Sequence, residues 1–295
     1  MKLYAPSTIK EIKERHDFRL SKSLGQNFLT DKNIIDKIID AAEISEDDLV
    51  IEIGPGIGTL TVEAAEKAGK VVCIEVDKNL IPILKETLNN YDNVEVINKD
   101  VLKTDLNEIL EQNLGNNGQK LKGVKIIGNL PYYITTPIIM KILEDGVKAE
   151  SIVIMMQKEV ADRIKALPGG KTYGALSVAV QYYCTVDTVA MVPKEVFVPA
   201  PKVDSTVLRL NIRKEKSIDL LDETTFFECI KQGFGQRRKT LSNSISGTAD
   251  LSKEEGIMAL EKSGIEPIRR AETLSLEEFA KLANTIYKMS IEKKS

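Results

Sequence analysis

Between Leu49 and Met156 the sequence alternates short apolar runs with helical patterns, and this alternation limits the fold more than any other feature. The runs expected as strands are Leu49–Ile53, Val71–Glu75, Val94–Ile97, Val124–Gly128 and Ile152–Met156. Between them, stretches such as TLTVEAAEKAG and NLIPILKETLNN carry apolar residues at helical spacing. Strand–helix alternation predicts a mainly parallel sheet with helices over both faces. Two further runs, near Thr185–Val192 and Thr206–Ile212, are joined by a proline-rich connection and are expected to close the sheet antiparallel. Upstream, TIKE fits a capping box that starts a helix near Thr8 with Glu11 reaching back, and KNIIDKIIDAA reads as a second helix.

After Arg213 the periodicity is helical throughout, in DETTFFECIKQGFGQRRKTLSNSI, SKEEGIMALEKSG and SLEEFAKLANTIYKMS. The expected division is a catalytic α/β domain over 1–212 and a small all-helical domain over 213–295. No run approaches the roughly 18 apolar residues of a membrane span. The charged start MKLYAPSTIKEIKERHDF lacks the apolar centre of a signal peptide, so a cytoplasmic protein without membrane contact is expected. The single histidine, His16, excludes His-bearing zinc motifs and leaves little scope for a Ser-His-Asp triad. Cys73, Cys184 and Cys229 match no metal spacing and read as core filling, so no metal is expected. A net charge of −3 gives no global basic field, and nucleic-acid contact would rest on local patches.

The first strand runs into EIGPGIGTL, with Gly54, Gly56 and Gly58 placed for a sharp turn and close backbone approach to a ligand. Nicotinamide and flavin sites want G-x-G-x-x-G, whereas this loop gives G-x-G-x-G after an acidic residue. That is the pattern of class I methyltransferases, which bind S-adenosylmethionine on a Rossmann-like sheet; a bland strand–helix turn is the competing reading. Glu75 ends the next strand, about twenty residues on, where doubly wound folds place a carboxylate for ribose hydroxyls. Asp100 closes the third, placed to accept from an adenine amine. A solvated strand-end acid is the competing reading of each.

The fourth strand delivers Asn129-Leu130-Pro131-Tyr132. Methyl transfer to an exocyclic amine needs alignment more than acid–base power. The side-chain oxygen of Asn129 and the backbone carbonyl of Leu130 offer two acceptors for the amine's N–H groups, and meet the positive charge that develops on nitrogen. Pro131 fixes the turn, and Tyr132 offers a face for a flipped-out base. A structural turn with a buried asparagine is the alternative.

With these pieces the chain resembles the ribosomal RNA adenine dimethyltransferase family, and most narrowly its bacterial small-subunit branch. The resemblance runs through LGQNFL, EIGPGIGTLT, GNLPYYITTP, MQKEVADRI, YGALSVAVQYY, VFVPAPKVDSTVLRL and FGQRRKTLSNS. It implies that S-adenosylmethionine is held through Asn27, Leu29, Gly54, Glu75, Asp100 and Asn129, with GQNFL packed over the cofactor. It also implies that Phe197 faces Tyr132 as a second aromatic wall, although a buried loop anchor is an equal reading of the residues. Many relatives have Asn where this chain has Tyr133.

Arg237, Arg238 and Lys239 form a short basic run in which the resemblance implies rRNA contact; a solvated face is the plainer reading. Lys22, Arg209 and Arg213 are weaker candidates. The implied activity is N6 dimethylation of two adjacent adenines near the 3′ end of 16S rRNA, by a monomer acting on the small ribosomal subunit. Two alternatives stay open: a macrolide-resistance type large-subunit rRNA methyltransferase, and a non-catalytic rRNA-binding assembly factor.

Overall fold

The computed structural model describes residues 2–21, 24–114, 121–236, 238–246 and 248–294. These group into two compact units: the chain up to Ala161 with Thr185–Ile212, and Asp162–Cys184 with the chain from Arg213 onward. This differs from a single break at 213. Tyr173, Val178 and Tyr182 belong to the same apolar cluster as Phe226, Ile230 and Phe279, and so draw residues 162–184 into the helical unit.

In the first unit, helix α1 (Pro6–Arg15) opens on Pro6, with Ala5 as an N-cap that makes no side-chain bond. The expected capping box at Thr8 does not form. Proline has no N–H to leave unpaired and its φ is preset, so it starts the helix two residues earlier. Glu11 instead pairs with Arg15, one turn on. The short strand β1 (Phe28–Leu29) precedes α2 (Lys32–Ala42). Asp31 caps α2 by accepting from the amides of Asn33 (2.8 Å) and Ile34 (3.3 Å). Ile34, Ile35, Ile38, Ile39 and Ala42 form its buried stripe against the sheet.

The alternating region then runs β2 (Asp48–Ile53), α3 (Thr59–Ala65), β3 (Lys70–Glu75), α4 (Ile81–Thr87), β4 (Val94–Asn98), α5 (Leu106–Leu114), β5 (Gly123–Asn129), α6 (Thr135–Glu144), β6 (Ser151–Gln157) and α7 (Lys158–Ile164). After α8 (Ala175–Tyr183) come β7 (Cys184–Val192), the two-residue β8 (Phe197–Val198) and β9 (Ser205–Ile212). Among the described residues the main sheet has the order β4-β3-β2-β5-β6-β9-β7. β2 pairs in parallel with both β3 and β5, β5 pairs in parallel with β6, and β9 closes antiparallel on β6. The chain steps outward from β2 to β4 and then returns to place β5 beside β2. Strand order therefore reverses between β2 and β5, which is where open sheets of this kind bind ligands at their carboxyl ends.

The helical unit adds α9 (Glu223–Gly235), α10 (Leu241–Ser244), α11 (Lys253–Lys262) and α12 (Leu276–Lys294). Its core is aromatic: Phe226 stacks obliquely on Tyr182, with centroids 5.2 Å apart. The hydroxyl of Tyr173 donates to the carbonyl of Leu274 at 3.0 Å. No described helix is long and apolar enough to cross a membrane. All three cysteines are free and buried. Burial pushes the Cys184 thiol up to about 12, and those of Cys73 and Cys229 well above the usual thiol range.

Ile38 is fully buried at the centre of the α2 stripe. Ile38→Ala is expected to cost about 2–5 kcal/mol of stability, through lost burial and the cavity left behind. Urea denaturation should show a lower midpoint with an unchanged slope.

Candidate active site

The loop after β2 and the end of β5 emerge side by side, because Glu52 pairs with Ile127 in the parallel register. They border a cleft lined by the glycine loop, the ends of β3 and β4, and residues Asn129–Tyr133. Gly54, Gly56 and Gly58 all have positive φ, at 70°, 62° and 90°. At Gly56 a Cβ would lie 3.1 Å from the ring of Phe28, and at Gly58 one would lie 3.1 Å from Leu88, as well as being strained. Gly58 is the N-cap of α3.

Glu75 ties this loop to the end of β3. One carboxylate oxygen accepts from the amide of Asp77 at 2.8 Å, and the other from the amide of Gly56 at 3.3 Å. Beneath the loop, Glu52 is only 1% exposed and accepts from the Thr61 hydroxyl at 2.6 Å, with the Cys73 sulfur at 3.8 Å. Burial raises both glutamates to about 7, against the stabilising effect of these hydrogen bonds; for Glu52 the nearby charge of Glu75 adds to the rise. Asp100 also lines the cleft, and its side chain caps the following turn by accepting from the Leu102 amide at 3.0 Å. The described lining thus includes the carboxyl groups of Glu52, Glu75 and Asp100 and the cation of Lys99.

Asn129 is the last residue of β5, in register with Met155 of β6. Its Nδ2 donates to the Asn27 carbonyl at 3.0 Å, which fixes the amide plane and leaves Oδ1 for an incoming donor. The Leu130 amide donates to the Met155 carbonyl at 3.3 Å, so the backbone stays tied to the sheet past the strand end. The Pro131 carbonyl accepts from the Ile134 amide (3.2 Å) and the Thr135 hydroxyl (3.0 Å), closing the turn onto α6. The Tyr132 phenol meets the Ser205 hydroxyl at 2.7 Å, and its pKa is raised by burial.

The segment around Asn27 crosses the cleft as a strap. β1 pairs antiparallel with β8, setting Leu29 opposite Phe197 and Phe28 opposite Val198. Gln26 donates to Asp77 at 2.7 Å, anchoring the strap beside Glu75. Asp77 carries no mark in the sequence, while Gln26 and Phe28 are marked there only as part of GQNFL and Glu52 only as the acid before the glycine loop; the contacts they make join distant segments. Phe197 does not reach the cleft lining. It is 3% exposed within the apolar cluster that holds Leu29, Val192 and Val207.

The remaining candidates lie elsewhere. Arg238 and Lys239 are exposed in the helical unit, while Arg237 and Lys22 fall outside the described residues. Arg209 is held by Glu43 in a two-pronged ion pair, which occupies it structurally. Arg213 is exposed. Among the described residues no cluster of His, Cys, Asp or Glu could hold a metal.

The family model described as ribosomal RNA adenine dimethylase matches residues 17–288. The chain belongs to the ribosomal RNA adenine dimethylase family. It is 53% identical over 285 residues to the ribosomal RNA small subunit methyltransferase A of Clostridioides difficile, covering 97% of each chain. Among solved structures, a dimethyladenosine transferase from Plasmodium falciparum aligns with TM-score 0.72 and 29% identity, over 86% of this chain and 95% of that one. The 23S rRNA methyltransferase ErmE aligns with TM-score 0.64 and 26% identity, over 88% and 99%. A mostly parallel sheet with a helical C-terminal part is thus the architecture of this dimethylase family member.

The raised carboxyl of Glu52 makes stability depend on pH. Between the ordinary value of 4.5 and about 7, the folded protein keeps a proton that the unfolded chain releases. Stability therefore falls as pH rises through that window. Glu52→Gln removes the ionisable group, so its urea midpoint should gain on the parent's as pH rises from about 5 to about 7.5. A constant gap across that range would mean that Glu52 does not titrate there.

Proposed function

We propose that this chain transfers methyl groups from S-adenosylmethionine to the N6 amines of two adjacent adenines near the 3′ end of small-subunit (16S) rRNA, two to each base. The observation that carries the reading is the Asn129 amide, pinned through Nδ2 by the strap carbonyl of Asn27, with Oδ1 left to accept at the switch point of the sheet. Family membership supports the chemistry. The 53% identity to a relative named for the small subunit, against 26% to the 23S enzyme, supports the small-subunit substrate over the macrolide-resistance type.

The cleft suits the cofactor. Gly54 and Gly56 let the backbone approach it, Glu75 and Asp100 sit at successive strand ends for its ribose and adenine, and Asn27 and Leu29 belong to the strap above. Gly58 shapes the same loop by starting α3. S-adenosylmethionine supplies an electrophilic methyl group on a sulfonium.

The chain's own residues then position the amine. The lone pair of an adenine amine is delocalised into its ring, which makes the nitrogen a weak nucleophile. Hydrogen bonds from its two N–H groups to Asn129 Oδ1 and the Leu130 carbonyl hold it pyramidal and offset the charge that grows on it. These acceptors take no proton; the amine sheds one to water for each methyl gained. A monomethylated amine keeps one N–H, enough for one acceptor, so it remains a substrate. Pro131 sets the turn that aims the carbonyl, and the Tyr132 ring, tethered through its phenol to Ser205, offers the face on which the flipped base stacks. Phe197 contributes at one remove, by seating the β8 partner of the strap.

Arg238 and Lys239, with Arg237 beside them in sequence, are proposed to contact rRNA phosphates. The protein acts in the cytoplasm as a monomer and without a metal.

Asn129→Ala should lower kcat by about 10²–10³-fold while affinity for the subunit changes little. Equal loss of binding and turnover would make Asn129 structural. The substrate is tested with labelled donor and small subunits from a strain lacking the modification, with large subunits alongside, followed by digestion to nucleosides. Dimethyladenosine at a neighbouring pair in the small subunit is expected. Label only in the large subunit would move the chain to the other branch, and donor binding without transfer would point to an assembly factor.

A further inference from the structure

Tyr133 has no role in the amine chemistry, yet it lines the cleft and is 56% exposed. Of the large apolar side chains exposed among the described residues, Tyr133 and Val76 are the two that line the cleft. Val76 follows Glu75, on the donor side. Tyr133 follows Tyr132, on the side where the target base enters.

Tyr133 also stands on a built turn. The two bonds to the Pro131 carbonyl, from the Ile134 amide and the Thr135 hydroxyl, hold the backbone on its far side. On the other flank the strap passes near the ring at Gly25, where an added Cβ would meet Tyr133 Cδ1 at 3.6 Å and Pro131 Cβ at 3.5 Å. The ring is thus bordered by the strap on one side, with more than half of the residue open to solvent. An exposed aromatic at the mouth of a base pocket is a surface for a second base.

We propose that Tyr133 is a stacking platform for the base next to the adenine in the pocket. The inference rests on the rRNA dimethylation reading above, and adds to it how a site with one pocket handles two neighbouring bases. Flipping one adenine into the pocket strips its neighbour of a stacking partner, which is unfavourable unless another face replaces it. Tyr133 supplies that face, and holds whichever base of the pair is outside while the other reacts.

Tyr133→Ala should raise the KM for unmodified small subunits by about tenfold, with kcat within about twofold of the parent and donor affinity unchanged. Subunits with only one of the two adenines dimethylated should accumulate. Tyr133→Phe keeps the ring and should restore KM. The chain has no tryptophan, so Tyr133→Trp creates a single fluorescent reporter, whose emission should be quenched when unmodified small subunits are added. A parental KM in Tyr133→Ala, a Phe variant that falls as far as Ala, or tryptophan emission indifferent to the subunits would each overturn the platform. If the parent chain itself methylated no small-subunit adenine, the failure would lie in the underlying reading, and the tryptophan signal would still report stacking.

Discussion

Parallel pairing of β2 with β5 is the constraint on which the rest of the site depends. It joins strands whose sequences lie far apart, with two other strands between them in the chain. Because the register sets Glu52 against Ile127, the glycine loop and the NLPY turn leave the sheet at the same level. A slip of one residue would send each side chain of β5 to the opposite face. Asn129 would then lose the carbonyl of Asn27, and the loop and turn would no longer border one cleft. The β5–β6 ladder and the Leu130–Met155 bond extend this order one residue beyond the strand, to where the chemistry is proposed.

Around that pairing the site places acidic groups where water is scarce. Glu52 and Glu75 are both almost fully buried, at a cost that their hydrogen bonds offset only in part, as the raised pKa values record. The bonds to Thr61, Gly56 and Asp77 join β2, α3, the glycine loop and the end of β3. The carboxylates therefore order the loop as well as line the cleft. Polar atoms at this depth favour one arrangement over its near neighbours, since any shift leaves a buried charge without partners.

Much of this was legible in the sequence because it is local or periodic. Strand runs such as Val124–Gly128 appear with their ends extended by a residue, and Asn129 falls inside the strand because it still pairs with Met155. The glycine loop announced its turn through residue type alone. What escaped has no local signature. Two-residue strands such as β1 and β8 carry no period, so the ribbon that seats the strap was invisible. Gln26 meets Asp77 across 51 residues, and Cys73 nears Glu52 across 21, with nothing in either neighbourhood to join them. The start of α1 was misplaced for a different reason: Ser and Thr near a helix end compete as caps, and the proline at its first position decided the matter.

The three buried thiols have a practical consequence. A thiol reacts as thiolate, and here each is shielded from solvent and held protonated by its surroundings. Alkylation of the native chain must then wait for the local structure to open. Cys73 sits in the β3 strand of one unit, while Cys184 and Cys229 belong to the other. The unmodified protein therefore carries its own clocks, and the labelling rate at each cysteine measures the opening free energy of the unit around it.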